Sequence, residues 1–385
     1  MSNQKYYKRI IQPPKDNSFF LFGPRGVGKT SWLKKNYTDA LYFDLLDAST
    51  YQKLLTRPET LEDLIPNNFS DWIILDEIQR VPELLNEVHR LIENKKYKFI
   101  LTGSSARKLR QKGINLLAGR AYTYSMHPLT VAELGNDFSI PESIKYGNLP
   151  KSYTTESPED FLASYVQTYL KEEVEEEGLT RNLSNFYRFL EIASFSQGEI
   201  LNISEIAREA ELKRNIVENY FSILDDLLIA HRIPIFNRRA KRILLKHNKF
   251  YFFDVGVFRA IRPLGPLDSE SEVDGPALET LVLQELNAIN QYQKLGYKIH
   301  YWRTKTGLEV DFILYGKNGF LAIEVKRKQN ITKKDLRGLR AFKKDYPEAK
   351  AIILYGGKHK QYHNNINVIP LTDFFANVTA ILKSK

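Results

Sequence analysis

The sequence predicts an α/β multidomain protein that opens with a parallel sheet covered by helices on both faces. Three observations predict it. Strand-like and helix-like segments alternate from about residue 15 to 135, the pattern of parallel strands joined by crossover helices. An apolar run, Ser18-Phe19-Phe20-Leu21-Phe22, leads directly into Gly23-Pro24-Arg25-Gly26-Val27-Gly28-Lys29-Thr30, and Ser31 to Asn36 reads as the start of a helix. A second apolar run, Trp72-Ile73-Ile74-Leu75, ends in Asp76-Glu77.

The glycine-rich stretch fits G-x-x-x-x-G-K-[ST], the phosphate-binding P-loop. Gly23, Gly26 and Gly28 let the backbone curl so that successive N–H groups point at phosphate oxygens. Pro24, Arg25, Val27 and Ser31 complete the expected nucleotide-binding segment. Lys29 is placed to reach the β- and γ-phosphates, the Thr30 hydroxyl to ligate Mg²⁺, and the helix that follows offers its positive end to the same phosphates. Such a site needs a carboxylate for its metal, and Asp76 is the candidate. Glu77, one residue on, is placed to polarise an attacking water, although an Asp-Glu pair at a strand end also occurs as a surface pair. ATP and Mg²⁺ are the implied ligands, and the acidic pair favours hydrolysis over nucleotide storage.

The remaining strands of this domain are expected at Leu41–Leu45, Lys98–Leu101 and Ala121–Ser125, with a helix at Leu84 to Glu93. Nucleotide then binds beyond the carboxyl ends of the strands. A strand between the P-loop strand and the acidic strand is typical of the additional-strand P-loop ATPases, which include the AAA proteins. Thr102 or Ser104, after Phe99-Ile100-Leu101, would sense the γ-phosphate, unless Thr102-Gly103-Ser104-Ser105 is only a strand-ending turn. Arg120 is a candidate arginine finger, in its own subunit or a neighbour's, with a plain surface arginine as the alternative.

Residues 136–185 read as a helical connector, with a helix from Pro158 to Glu177 stopped by Gly178 and a solvated acidic run from Lys171 to Glu177. Residues 186–265 read as a winged helix: a helix at Phe186 to Phe195, a short one capped by Ser204, a longer one from Lys213-Arg214 to near Leu228, then a basic segment and the strand Lys249-Phe250-Tyr251-Phe252-Phe253. Arg214, Arg238, Arg239, Lys241 and Arg242 would be DNA-phosphate contacts if this unit binds DNA; winged helices also serve as packing units, and that alternative stays open.

Residues 266–385 carry a second constellation. Glu279 lies on a helix expected at Pro276 to Asn290, Asp311 in a strand after Lys298–Arg303, and Glu324 and Lys326 in Leu321-Ala322-Ile323-Glu324-Val325-Lys326. The D…E-x-K order across neighbouring strands is the core of restriction-endonuclease-like nucleases. Asp311 and Glu324 would hold Mg²⁺, Lys326 would stabilise developing charge, and Glu279 would complete the metal shell. Alternation along the strand puts Glu324 and Lys326 on one face. Cross-strand Glu–Lys pairs are stabilising without chemistry, so cleavage, binding and structure all remain readings of this site. The tract Lys326-Arg327-Lys328 with Lys333, Lys334 and Arg337 suits a nucleic-acid backbone or a solvated edge.

Bulk properties fit this organisation. The chain of 385 residues is long enough for several cores, and its net charge of +10 suggests an anionic partner such as nucleic acid. The absence of cysteine excludes a disulfide scaffold and a thiolate metal site. No apolar signal core follows Met1 and no apolar run approaches the roughly 20 residues of a membrane span, so a cytoplasmic protein without membrane contact is expected.

Nearly the full length resembles an uncharacterised prokaryotic family of AAA-type P-loop ATPases with a winged helix and a C-terminal restriction-endonuclease-like domain. The resemblance rests on Gly-Pro-Arg-x-x-Gly-Lys-Thr at Gly23–Thr30, Leu-Asp-Glu at Leu75–Glu77, Thr-Gly-Ser at Thr102–Ser104 and Gly-Arg at Gly119–Arg120. It continues with Pro-Leu-Thr and a later Glu at Pro128–Glu133, Phe-Asp-x-Gly at Phe253–Gly256, Tyr-Trp-Arg at Tyr301–Arg303, and Glu-Val-Asp with Glu-Val-Lys between Glu309 and Lys326. One departure is Gly26, where the family usually carries a bulkier residue such as Gln. The resemblance implies ATP binding and hydrolysis but supplies no cellular role. Two functions follow: an ATPase coupled to a DNA-associated C-terminal half, itself a metal-dependent nuclease in one version, or a nucleotide-dependent switch or scaffold, acting as a homo-oligomer in some forms, whose last domain binds without cleaving.

Overall fold

The computed structural model describes residues 5–105, 117, 119–176, 182–237, 248–266 and 268–383. The chain divides into two compact units: Arg9–His127 with Asp226–Leu228, and Pro128–Asp225 with Ile229–Lys385 and the N-terminal residues through Lys8.

The first unit is built on a parallel sheet of β1 (Phe19–Phe22), β2 (Leu41–Asp44), β3 (Trp72–Asp76), β4 (Lys98–Gly103) and β5 (Tyr122–Ser125), in the order β2-β3-β4-β1-β5. The three central strands are apolar runs because helices cover both of their faces. Phe19, Phe20, Leu21, Ile73, Ile74, Leu75, Phe99, Ile100 and Leu101 have no exposed surface. Each such side chain contributes roughly 1.5–3 kcal/mol of burial. The edge strands β2 and β5 are only half-buried or exposed and carry more polar residues. Helix α1 (Lys29–Asn36) follows the P-loop, and α3 (Leu84–Lys95) buries Leu84, Leu85, Val88 and Leu91 along one stripe, with α2 (Ala48–Thr56) between them in sequence. β4 runs two residues past the expected end, so Thr102 and Gly103 belong to the strand and not to a turn. Because β4 lies between β1 and β3, Thr102 stands between the P-loop strand and Asp76.

In the second unit, Pro-Leu-Thr and the later glutamate form a capping box. The Thr130 hydroxyl accepts from the Glu133 N–H at 3.3 Å, and the Glu133 carboxylate accepts from the Thr130 N–H at 2.9 Å, starting the helix Val131–Leu134. The helix expected from Pro158 is interrupted: Pro158–Ser164 and Leu170–Glu176 flank a π turn, Tyr165–Tyr169. Within the acidic run, Glu173 and Val174 are buried, so the run is not a fully solvated face. Glu177 and Gly178 lie outside the described residues.

Helices Leu183–Ser194, Ile203–Glu209 and Arg214–Asp226 lead to β6 (Ala230–Ile233), which pairs antiparallel with β7 (Lys249–Phe252). Asn202, and not Ser204, caps the second helix, its side chain accepting from the Glu205 N–H. β7 is buried along its whole length. Arg238, Arg239, Lys241 and Arg242 lie outside the described residues.

The C-terminal part carries a long helix, Glu270–Tyr292, that begins earlier than expected and contains Pro276. Its sheet holds β8 (Lys298–Arg303), β9 (Glu309–Gly316), β10 (Gly319–Lys326), β11 (Lys350–Tyr355), β12 (Gln361–His363) and β13 (Ile366–Pro370), in the order β12-β13-β11-β10-β9-β8. β10, β11 and β13 run parallel, and the other pairs are antiparallel. Leu339 and Phe342 of the helix Arg337–Asp345 pack on Val310, Ile313, Ala322 and Ile353 of this sheet. Among the described residues, no helix is long and apolar enough to cross a membrane.

Candidate functional site

The P-loop curls between β1 and α1 because two of its residues are glycines with positive φ: Gly26 at 83° and Gly28 at 94°. Side chains other than glycine rarely adopt this backbone. Lys29 is buried, and its ammonium reaches back across the loop to the carbonyls of Gly23 at 2.7 Å and Pro24 at 3.3 Å. From beneath, the buried guanidinium of Arg9 donates to the Val27 carbonyl at 2.6 Å and to the His127 carbonyl, bracing the loop against the end of the domain.

Asp76, at the carboxyl end of β3, is the hub of the site. Its Oδ2 accepts from the Thr30 hydroxyl at 2.9 Å and from the Tyr42 phenol, and its Oδ1 accepts from the Thr102 hydroxyl. The hydroxyls come from α1, β2 and β4, so the sheet order gathers them. Burial, and then the charge of Asp76, push the Tyr42 phenol well above its ordinary pKa, so it keeps its proton and acts as a donor.

Glu77 follows in the left-handed region, φ 59° and ψ 46°, an uncommon backbone for a glutamate. The amide of Gln79 donates to Glu77 at 2.5 Å and to the Ser104 hydroxyl at 3.2 Å, so it joins Glu77 to Ser104. Room for that amide exists because residue 103 is glycine: a Cβ there would stand 2.2 Å from the Gln79 side-chain oxygen. The site thus brings together Gly23, Pro24, Lys29, Thr30, Asp76, Glu77, Thr102 and Ser104. Three contributors were missed from the sequence: Arg9, Tyr42 and Gln79. Only Gln79 left a local signal, two residues beyond Glu77.

Arg120 is not brought in. Its guanidinium pairs with Glu93 on α3, and the residue lies two positions before β5. β5 runs parallel to β1 with Phe19 opposite Tyr122, so Arg120 sits at the end of the sheet where β1 begins, whereas the P-loop follows its other end. At about 3.3 Å per residue, the strand itself separates them. The expected finger role within the same subunit is therefore corrected.

The donor set suits a magnesium–nucleotide complex. Thr30 and Asp76 present two oxygens side by side, as Mg²⁺ shared with phosphates requires, and the ammonium of Lys29 lies within the loop that would surround those phosphates.

A different arrangement stands in the C-terminal part. Asp311 accepts from the Val325 N–H at 2.8 Å, and Lys326 pairs with Glu324 at 2.6 Å, so the first-strand aspartate and the Glu-x-Lys strand do meet. Lys249 enters from β7. Its ammonium, 3% exposed, lies 2.6 Å from Glu309, 3.3 Å from Asp311 and 3.5 Å from Glu279. Tyr251, two residues on and so on the same face of β7, donates to Glu279 at 2.9 Å. Arg303 pairs with Glu309 at 3.5 Å. Burial, and then the charge of Asp311, raise Glu279 to about 7 and Glu324 to about 8. Burial alone would lower Lys249, but the surrounding carboxylates hold it well above its ordinary value. Lys249 and Tyr251 were missed from the sequence, although alternation along Lys249-Phe250-Tyr251 would have put them together, and Glu309 stood in the Glu-Val-Asp match without a role.

Of the basic positions expected at nucleic acid, Arg214 pairs with Glu218 at 3.1 Å, Lys328 with Asp335 at 2.5 Å, and Arg327 with Asp274. Among the described residues, no group of three or more His, Cys, Asp or Glu side chains is arranged to hold a metal ion.

Comparison with known proteins finds likenesses over three parts of the chain. Residues 15–135, about a third of the chain, match the family described as an AAA domain and are similar to AAA-type domains. Residues 138–268 match a domain of unknown function (DUF8612), and residues 274–374 match another (DUF4143). An uncharacterized protein of Haemophilus influenzae is 21% identical over 322 residues, which cover 78% of this chain and 76% of that protein. Among solved structures, the Aeropyrum pernix ORC1 protein in complex with DNA is 14% identical, covering 64% of this chain and 87% of that one, with a TM-score of 0.25. A Thermotoga maritima protein related to the DNA polymerase III gamma subunit is 12% identical, covering 71% and 96%, with a TM-score of 0.21. Likenesses that distant carry no argument about the fold.

Proposed function

We propose that this chain is a Mg²⁺-dependent ATPase whose nucleotide cycle acts on a DNA-associated C-terminal half. The observation that carries the reading is the convergence of Thr30, Tyr42 and Thr102 on Asp76 beside the P-loop lysine. Mg²⁺, held by Thr30 and Asp76, would supply charge neutralisation at the phosphates. The chain's own residues do the rest. Lys29 and the loop N–H groups hold the β- and γ-phosphates. Thr102 keeps Asp76 aimed, and Ser104 faces the γ-phosphate through its link to Gln79. Glu77 accepts a proton from water as the water oxygen bonds to the γ-phosphorus and the bond to the bridging oxygen breaks. The left-handed backbone of Glu77 and its tether to Gln79 fix the direction of that carboxylate.

Glu77→Gln and Lys29→Ala test this together. The first is expected to keep ATP binding and lower turnover by about 10²–10⁴-fold, the range of a lost general base. The second is expected to lose both. Wild-type turnover in Glu77→Gln would remove Glu77 from the chemistry.

For the C-terminal half, DNA association is supported by helices Ile203–Glu209 and Arg214–Asp226 followed by the β6–β7 ribbon, the order of a winged helix, and by the net positive charge. Of the roles open to the carboxylate site, we adopt binding without cleavage. A nuclease needs carboxylates free for a divalent cation, and the ammonium of Lys249 stands among them. DNA binding that weakens steeply with salt is expected from phosphate contacts; binding indifferent to salt would count against them.

A further inference from the structure

We infer that Lys249 is the resident cation of the C-terminal carboxylate cluster, and that this lysine, supplied by β7, keeps divalent metal out of a site whose D…E-x-K sequence order is otherwise that of a metal site.

The argument is geometric and electrostatic. Glu279 from a helix and Glu309 and Asp311 from β9 converge on the Lys249 ammonium, and Glu324 on β10 lies in the field of Asp311. Facing them are the ammoniums of Lys249 and Lys326 and the guanidinium of Arg303. Four carboxylates therefore meet three positive groups, of which the Lys249 ammonium is the most deeply buried. A metal bound to Asp311 Oδ1 at about 2.1 Å would stand within roughly 5.4 Å of the Lys249 ammonium, which lies 3.3 Å from that oxygen. Like charges that close repel strongly away from water. The lysine has no easy retreat. Its side chain is 3% exposed, it opens a fully buried strand, and Tyr251 on the same face donates to the same Glu279. Withdrawing it would leave Glu309 and Asp311 short of a partner in a buried place, which is costly.

The ammonium also bears on how the unit is assembled. β7 pairs with β6, whereas Asp311 belongs to the β8–β13 sheet. Lys249 is thus a charge bridge between two sheets of one unit, doing the joining that a shared metal does elsewhere.

The inference deepens the reading of the C-terminal half as a module that binds without cleaving, but its test reads cation binding. The full-length chain is used without nucleotide and with Asp76→Asn, so that the P-loop site does not contribute. Mn²⁺ binding is followed by electron paramagnetic resonance of the free ion. The Asp76→Asn chain and Asp76→Asn/Asp311→Asn are expected to bind Mn²⁺ equally poorly. Adding Lys249→Met to Asp76→Asn is expected to tighten Mn²⁺ binding by about tenfold or more, the scale of removing one adjacent buried positive charge. A further Asp311→Asn should abolish the gain. Mn²⁺ binding by the Asp76→Asn chain that depends on Asp311 would overturn the inference, as would a folded Lys249→Met chain that gains no binding. If Lys249→Met does not fold, the Asp311 comparison decides alone. A chain that binds Mn²⁺ through Asp311 yet leaves DNA intact would sink this inference while sparing the proposed function.

Discussion

Asp76 and Asp311 are matched in many respects. Both lie in strands, both are almost buried, at 3% and 5% exposure, and both belong to a sequence pattern associated with magnesium. Their partners differ. Asp76 is held by three hydroxyls, which orient a carboxylate without cancelling its charge. Asp311 faces the ammonium of Lys249, which cancels it. Neutral donors leave a buried carboxylate open to an arriving cation, and a lysine closes it. A motif alone does not tell the two cases apart, because the deciding groups lie elsewhere in the chain.

The sharpest way to break this comparison is to neutralise each aspartate. Asp76→Asn is expected to lower ATP turnover by about a hundredfold or more, as loss of a key electrostatic group does, with little change in the unfolding midpoint. Asp311→Asn is expected to do the reverse. Turnover per folded molecule should hold, while stability falls by about 3–5 kcal/mol in denaturant titration, since a buried ammonium loses a partner. Equal stability losses in the two variants would erase the distinction.

A third carboxylate extends the series. Glu285, 3% exposed, has neither three hydroxyls nor a lysine: one oxygen accepts from the Val131 N–H at 3.1 Å, and the other is buried without a partner. Burial raises it from 4.5 to about 8. A carboxyl raised in the folded state contributes stability in full below its unfolded value and loses it as pH climbs toward the folded one. Wild-type stability should therefore decline between about pH 4.5 and 8 from this group, by up to a few kcal/mol. Glu285→Gln should flatten that slope, and an unchanged slope in thermal melts across the window would reject the assignment. The smallest effect is expected from Tyr42→Phe, which removes one of the three hydroxyls on Asp76. The loss of one hydrogen bond to a charged group, about 1.5 kcal/mol, should weaken Mg²⁺-ATP turnover roughly tenfold. No change would mean that Thr30 and Thr102 suffice.

The P-loop was legible because its chemistry is contiguous: the residues that fold the loop are those that bind. The strands were legible because burial on both faces writes an unbroken apolar run. What was not legible acts through space. Tyr42 and Arg9 reach the site from segments with no signature of their own. Arg120 misled because proximity to a strand says nothing about which end of it a residue occupies; with parallel strands, a residue before β5 and a residue after β1 stand at opposite edges. Some motifs that carry the resemblance serve folding. Thr130 and Glu133 cap a helix. Asp254 of Phe-Asp-x-Gly caps the helix Val255–Ile261 and accepts from the Asn148 N–H at 2.8 Å.

Lys249 has one more consequence. A metal ion obeys mass action: it leaves on dilution, yields to chelators and depends on cellular supply. An ammonium tethered to its own strand has an effective concentration fixed by the fold, so its cluster is filled once β7 docks and stays filled in any medium that keeps the chain folded.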